Sequence, residues 1–343
     1  MVAAILLLVL LAFSMLLNIG MMSGSTHGRR ITRTVGPRLE EVLTVDNDSG
    51  NKIAVVEIRG IITSRQAEGG FSMVDLVKAQ FKRAEEDDRI KAVILKVDSP
   101  GGEVLASDEI YNIIADFQTR NTKPVVASMG NLAASGGYYV SAPCRWIVAN
   151  ELTITGSIGV IMHSWNYRGL MNKVGVRPQT FKSGKFKDML SGERDPDDIP
   201  PEEREMVQKL IDDTYVKFKG VVEKGRKASY GMNKGFKDPL DQGKALGSDW
   251  ADYADGRVLS GKEAQELGFV DQVGTFEVAV KRAQKIAGIS KANLIEFQQR
   301  FDLSDFFKMF GKTKAPTIKV DLGMDGPRLE AGQMYFLSPT FAK

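Results

Sequence analysis

The chain has 343 residues, 43% hydrophobic and 26% charged, which is enough to bury the core of one large domain or two modest ones. A formal charge of +3 singles out no nucleic-acid partner. The single cysteine, Cys144, excludes an intrachain disulfide and leaves the redox compartment open; between Ala142–Pro143 and Trp146 it reads as a small buried hydrophobe rather than a reactive thiol.

In chain order, the first element is the uncharged run Val2 to Met22, "VAAILLLVLLAFSMLLNIGMM". As a helix it is about 30 Å long, sufficient to cross the hydrocarbon core of a bilayer. It lacks the basic n-region and the A-x-A site of a cleaved signal, so residues 1–23 are expected to form a transmembrane anchor. Arg29, Arg30 and Arg33 follow the span and nothing basic precedes it, a count that taken alone keeps the rest of the chain cytoplasmic. Residues 24–51 are polar and read as a stalk.

The main domain is expected over residues 52–290. A strand is predicted at Ile53–Arg59, then a helix capped by Ser72 with Val74, Val77, Phe81 and Ala84 on one face. The buried run "AVILKV" at Ala92–Val97 precedes "DSPGGEV" and a helix carrying Ile110, Ile113, Ile114 and Phe117. "PVVASM" reads as a strand leading into Ser135 and its helix, and "RWIVAN" as another strand. Strands alternating with helices through short glycine-rich links indicate an α/β fold of repeated βαβ units. "RPQTFKSGKFKDML" reads as a strand entering a basic loop. A long helix after Pro201 carries Val207, Leu210, Ile211, Thr214, Phe218, Val221 and Val222 as its apolar stripe. Residues 226–250 read as an exposed excursion, helices are expected at 261–267 and 275–286, and residues 291–343 form a C-terminal extension. No fixed-period repeat is present.

Three features suit acyl transfer. In "DSPGG", Asp98 to Gly102, consecutive glycines can turn backbone N–H groups toward a developing negative charge; a tight strand-to-helix turn is the alternative. In "LAASGGYYV", Ser135 is placed at a strand-to-helix junction where free N–H groups favour an anion and Gly136 supplies a second donor; an ordinary N-cap serine is the alternative. In "KSGKFKD", Lys182, Lys185 and Lys187 form either a solvated basic face or the source of a general base, since a desolvated lysine loses its charge and can accept a proton. Ser157 in "TGSIGV" offers an orienting hydroxyl. His163 is the rival base, whereas His27 lies beside the membrane run. No zinc-spaced cluster, Walker loop or dinucleotide fingerprint occurs, so no cofactor or metal is expected.

Together "DSPGGEV", "NLAASGGYYVSA", "TGSIGVI", "KSGKFKDM" and "DGRVLSGKEAQELGFVDQVG" resemble the signal peptide peptidase A family, over roughly residues 52–285 and in its short, single-catalytic-domain form. The resemblance implies a Clp protease/crotonase-like fold behind the membrane helix. It implies a membrane-anchored serine endopeptidase with a Ser/Lys dyad: Ser135 the nucleophile, Lys187 the general base in preference to Lys182 and Lys185, Ser157 orienting the lysine, and Gly102 and Gly136 lending oxyanion-hole N–H groups. It further implies residual signal peptides and other apolar peptides as substrates, a homo-oligomeric ring, no nucleic-acid partner, and a single-pass protein of the cell membrane with its catalytic domain outside the cytoplasm. The arginines after the span point the other way, and the family pattern outweighs them.

Other readings are a Clp-like peptidase with a Ser135/His163/Asp triad, a crotonase-like acyl-CoA enzyme and a catalytically silent membrane scaffold. Finally, "QMYFLSPTFAK" is apolar for a chain terminus and is expected to add as a strand to a peptide-binding cleft, its own or a neighbour's.

Overall fold

Strand β3 (Ile90–Ser99) is buried along most of its length, as its apolar run Ala92–Leu95 suits a central parallel strand covered on both faces. In this computed structural model, which describes residues 36–66, 70–299 and 334–337, β3 lies mid-sheet. The expected anchor at residues 1–23 and most of the C-terminal extension lie outside the described residues. No helix among the described residues is long and apolar enough to cross a membrane.

The remaining strands are β1 (Leu39–Val45), β2 (Lys52–Arg59), β4 (Gly101–Glu103), β5 (Val125–Ala134), β6 (Trp146–Ala149), β7 (Ile154–Gly156), β8 (Val258–Ser260), β9 (Gln272–Val273), β10 (Asn293–Gln299) and β11 (Tyr335–Leu337). The helices are α1 (Met73–Glu86), α2 (Val104–Arg120), α3 (Gly136–Ser141), α4 (Arg168–Lys173), α5 (Pro201–Asn233), α6 (Gly261–Glu266) and α7 (Phe276–Ile286). The main sheet runs β1-β10-β2-β3-β5-β6-β9, with β7 pairing to β5 and β8 to β7. All its pairs are parallel except β1/β10 and β7/β8. This mostly parallel sheet between helices is the α/β architecture expected.

The two faces bury separate clusters. On one, α1 and α2 bring Val74, Val77, Phe81, Ile110, Ile114 and Phe117 against β2, β3 and β5. On the other, α7 lays Ala279 and Ala283 over Ile53, Ile94, Val126 and Trp146. The α1 start follows from sequence: Ser72 accepts from Asp75 N–H at 3.2 Å while Asp75 accepts from Ser72 N–H at 3.0 Å, a reciprocal capping box.

Four expectations change. Leu39–Val45, inside the expected stalk, forms β1 on β10, and Asn293–Gln299, inside the expected C-terminal extension, forms β10 parallel to β2. No strand forms at residues 177–182. Residues 226–233 are the last turns of α5 rather than an exposed excursion, with Arg226, Ser229 and Asn233 buried. Their polar character suggested solvent because their partners are remote in sequence. Ser229 Oγ donates to the Arg145 carbonyl at 2.6 Å, Arg145 Nε donates to Asn233 Oδ1 at 2.6 Å, and Arg226 Nη2 lies 2.5 Å from Asp271 Oδ1.

The Arg226–Asp271 pair is fully buried, an ion contact rather than a well-directed hydrogen bond. Burial works against the Arg226 charge, but the adjacent Asp271 carboxylate holds the guanidinium above its usual value. Asp271 also accepts from Ile147 N–H at 2.8 Å and Lys244 N–H at 3.2 Å, so it ties α5 to β6 and the loop before α6. Cys144 is buried beside this pair, and burial pushes its thiol up. Asp271→Ala strands the Arg226 charge in the interior and is expected to cost about 3–5 kcal/mol in urea unfolding. A midpoint unchanged from wild type would show that the pair does not hold this helix.

Candidate active site

Strand β5 changes partners along its length. Val126–Met129 pair with β6, whereas Leu132–Ala134 pair with β7. The changeover at Gly130–Asn131 is held from both sides: Asp98 Oδ1 accepts from Leu132 N–H at 3.1 Å, and Thr153 Oγ1 donates to the Gly130 carbonyl at 2.8 Å. Thr155 Oγ1 donates to the Ala133 carbonyl at 2.7 Å, locking the last turn of strand before Ser135.

Ser135 then occupies the tight turn into α3. Its φ of 54° and ψ of −115° are unusual for a residue with a Cβ. Such a conformation costs about 1–3 kcal/mol and persists only where the surroundings enforce it. Here Ser135 N–H donates to the Gly156 carbonyl at 2.8 Å and the Ser135 carbonyl accepts from Tyr139 N–H at 2.8 Å. Ser135 Oγ is buried and has no hydrogen-bond partner among the described residues. An ordinary N-cap would use that oxygen; this one leaves it free, so the N-cap alternative fails.

The glycines around it serve close approach. A Cβ on Gly136 would lie 2.7 Å from Ser107 Oγ, 3.0 Å from Gly101 Cα and 3.1 Å from Gly102 N. A Cβ on Gly102 would overlap the Ile62 carbonyl oxygen, and Gly101 has φ +103°. The β4 glycines and the first residue of α3 are thus backbone-to-backbone neighbours, which brings Gly102 and Gly136, the two expected oxyanion donors, close together at the residue that follows Ser135. Glu103 pins the outer wall: it accepts from Thr63 Oγ1 at 2.8 Å and from Ser64 N–H and Oγ at 2.8 and 2.6 Å. Burial raises the Glu103 pKa, and these hydrogen bonds outweigh it and hold the carboxyl below its usual value.

Ser157 follows the residue whose carbonyl receives Ser135 N–H, is buried, and shares the left-handed conformation at φ 51°. Lys187 is different. It is exposed on the loop between α4 and α5, and no described contact joins it to Ser135. Its neighbours are committed elsewhere: Lys182 Nζ pairs with Asp188 at 2.8 Å and Lys185 Nζ with Glu202 at 3.4 Å. The Lys187 side chain has no hydrogen-bond or ion-pair partner among the described residues. His163 is exposed and likewise makes no described contact with Ser135.

Sequence similarity assigns the family. The Clp protease profile matches residues 54–147 and the Peptidase family S49 profile matches residues 118–236. A protein assigned as a protease in Synechocystis sp. is 38% identical over 238 residues, covering 69% of this chain and 75% of the relative. One assigned as signal peptide peptidase SppA in Enterococcus faecium is 35% identical over 263 residues, covering 76% and 70%. The chain belongs to peptidase family S49, the signal peptide peptidase A family. It is therefore a serine peptidase, a hydrolase of peptide bonds. The Arabidopsis thaliana serine protease SPPA, chloroplastic, is 32% identical over 256 residues, which are 73% of this chain but 35% of that longer relative.

Reading the sequence of this S49 peptidase did not find the Asp98 and Thr153 clamps on β5, nor Ile62, whose carbonyl accepts Glu103 N–H at 2.8 Å and whose N–H donates to the Gly101 carbonyl at 2.9 Å. Ile62 carries no chemical side-chain signal; only the adjoining Gly–Gly pair hints that another backbone comes close. Gly102→Ala is expected to push β4 off Ile62 and displace its N–H, lowering kcat by roughly 10²–10³-fold, the scale of losing one oxyanion donor. Turnover within threefold of wild type would exclude Gly102 as a donor.

Proposed function

We propose that this S49 peptidase is held at the cell membrane and cleaves apolar peptides, among them residual signal peptides, through an acyl-enzyme on Ser135 with Lys187 as general base. The observation that carries the reading is the buried Ser135 Oγ, unpartnered on a strained turn beside two closely packed glycine N–H groups. Neutral Lys187 takes the Ser135 hydroxyl proton and the alkoxide attacks the peptide carbonyl. Gly102 and Gly136 N–H stabilise the tetrahedral oxyanion. The Lys187 ammonium returns the proton to the leaving amine; Lys187 then deprotonates the water that hydrolyses the ester, freeing Ser135. Ser157 orients the lysine amine.

A lysine can be the base only once it is desolvated. The segment leading into Lys187 exposes several large apolar side chains, Trp165 (78% exposed), Leu170 (63%), Val174 (65%) and Phe181 (86%). Exposed apolar side chains in such number suit burial against a second copy. In our reading a homo-oligomeric ring covers them and brings Lys187 to a Ser135. The apolar run at Val2 to Met22 supplies the anchor, with the catalytic domain outside the cytoplasm, and the Enterococcus faecium relative assigned as signal peptide peptidase SppA suggests the substrate class.

Fluorophosphonate labelling across pH 6–10 tests the chemistry. Labelling is expected to vanish in Ser135→Ala, to fall at least 100-fold in Lys187→Ala, to survive in His163→Ala, and to rise with pH as the base deprotonates. Equal labelling of folded Lys187→Ala and wild type would remove Lys187 as base. If Lys187 serves a neighbouring subunit, mixing Ser135→Ala with Lys187→Ala subunits under conditions of exchange restores part of the peptidase rate. If mixing restores nothing although mixed oligomers form, each site is completed within one subunit.

A further inference from the structure

We propose that Lys182 is a positioning residue for the general base: backed by Arg194, it occupies the Asp188 carboxylate, so that Lys187 has no counter-charge to hold its proton in place. The proposal rests on the reading of Lys187 as base. It gives a task to one of the two lysines of "KSGKFKD" that the chemistry leaves unused.

A lysine followed directly by an aspartate is a poor base unless the carboxylate is engaged elsewhere. An opposite charge within about 4–6 Å favours the ammonium, and a low dielectric strengthens that attraction. In this chain the carboxylate is taken. Lys182 Nζ donates to Asp188 Oδ1 at 2.8 Å and to Oδ2 at 2.9 Å, and also to the Lys185 carbonyl at 3.1 Å. One ammonium thus closes the loop 182–188 on itself. Arg194 Nε lies 3.6 Å from Asp188 Oδ2. The side chains of Asp188 and Arg194 are only 12% and 15% exposed, so their contact is largely shielded from water. The hydrogen bond from Lys182 holds the Asp188 carboxyl below its usual value. Lys187, alone among the three loop lysines, makes no ion pair among the described residues.

Arg194 ties this pair to α5. Its Nη1 donates to Glu203 Oε2 at 2.5 Å and its Nη2 to the Asp198 carbonyl at 2.8 Å. Glu203, buried in the first turn of α5, accepts from Leu190 N–H at 3.1 Å through its other oxygen. Leu190 has φ 65°, a left-handed conformation that a residue with a Cβ keeps only where its surroundings enforce it. The chain three residues after Lys187 is therefore fixed from α5. The formal charges of Lys182, Asp188, Arg194 and Glu203 sum to zero, so the cluster orders the loop without adding net charge beside the base. The other charges around the loop are Lys185, which pairs with Glu202 of α5 at 3.4 Å, Arg204 and Glu205 further along that helix, and Glu193, Asp195, Asp197 and Asp198 on the segment leading into it.

The test is the pH profile of fluorophosphonate labelling on full-length wild type, Lys187→Ala, Lys182→Gln, Lys182→Arg, Lys185→Gln and the double variant Lys182→Gln/Asp188→Asn. Lys182→Gln is expected to raise the labelling midpoint by about one pH unit, because the freed carboxylate stabilises the Lys187 ammonium. Lys182→Arg keeps the pair and the wild-type midpoint, and the double variant returns towards it. Lys185→Gln removes a loop charge without freeing Asp188 and leaves the midpoint in place. A merely structural role for Lys182 lowers labelling at every pH with the midpoint unmoved, which overturns the proposal. An equal shift in Lys185→Gln overturns it too, since any loop charge would then do the same. Lys187 itself is read in the Ser135→Ala background, from its acetylation by acetic anhydride against pH, followed by peptide mass spectrometry. The same upward shift is expected there in Lys182→Gln, and its absence overturns the proposal whatever Lys187 does in catalysis. A shift in acetylation together with a labelling midpoint that survives Lys187→Ala upholds the place of Lys182 and defeats instead Lys187 as base.

Discussion

The site depends on one close contact, the approach of the β4 backbone to the first residue of α3. Gly101 and Gly102 on one side and Gly136 on the other leave no room for a Cβ, and the proposed pair of oxyanion donors requires that proximity. Gly137 adds to the constraint, since a Cβ there would come 2.8 Å from the Ser99 carbonyl oxygen. Moving α3 outward by the width of a methyl group would open the β4 wall and release the Ser135 turn together.

The rest of the fold holds that contact in place. β5 divides between β6 and β7, so Ser135 leaves the sheet at a fixed height and angle. Behind α3, α5 presses Gly225 against the Ala142 backbone, where a Cβ would come within 2.8 Å of the carbonyl carbon, and the buried Arg226–Asp271 pair anchors this part of α5. The strain at Ser135 is offset by this surrounding packing, which is why the conformation belongs to the fold and not to the local sequence. The N-terminal half of α5 is held at Glu203, buried and paired with Arg194, but leaves apolar side chains outside, with Leu210 47% exposed and Val216 64% exposed. The same helix therefore serves the core at its C-terminal end and leaves an apolar surface at the other.

Much of the scaffold was legible because it is written in side chains. Ser72 with Asp75, and Val74, Val77, Phe81 and Ala84 at helical spacing, define α1 from sequence, and the run around Ala92–Val97 defines a strand buried on both faces. What misled were polar residues paired inside. Arg226, Ser229 and Asn233 have the composition of an exposed loop, and their burial depends on Arg145 and Asp271, which no local pattern connects to them. Backbone pairing was similarly silent: Leu39–Val45 and Asn293–Gln299 sit about 250 residues apart yet form adjacent strands.

By itself, then, the sequence determined the order of elements, the βαβ architecture, the crowd of small residues around Ser135 and the ordered motifs that mark an S49 peptidase, because each of these is expressed in residue type and short-range spacing. Tertiary structure alone decided that Gly102 and Gly136 are close neighbours, that Ser135 Oγ is buried without a partner among the described residues, that Lys187 stands on an exposed loop, and that Phe336, Tyr139 and Phe218 pack ring against ring. Those facts depend on contacts between segments remote in the chain and on backbone hydrogen bonds, which any residue can make and which therefore leave no mark in the amino-acid code.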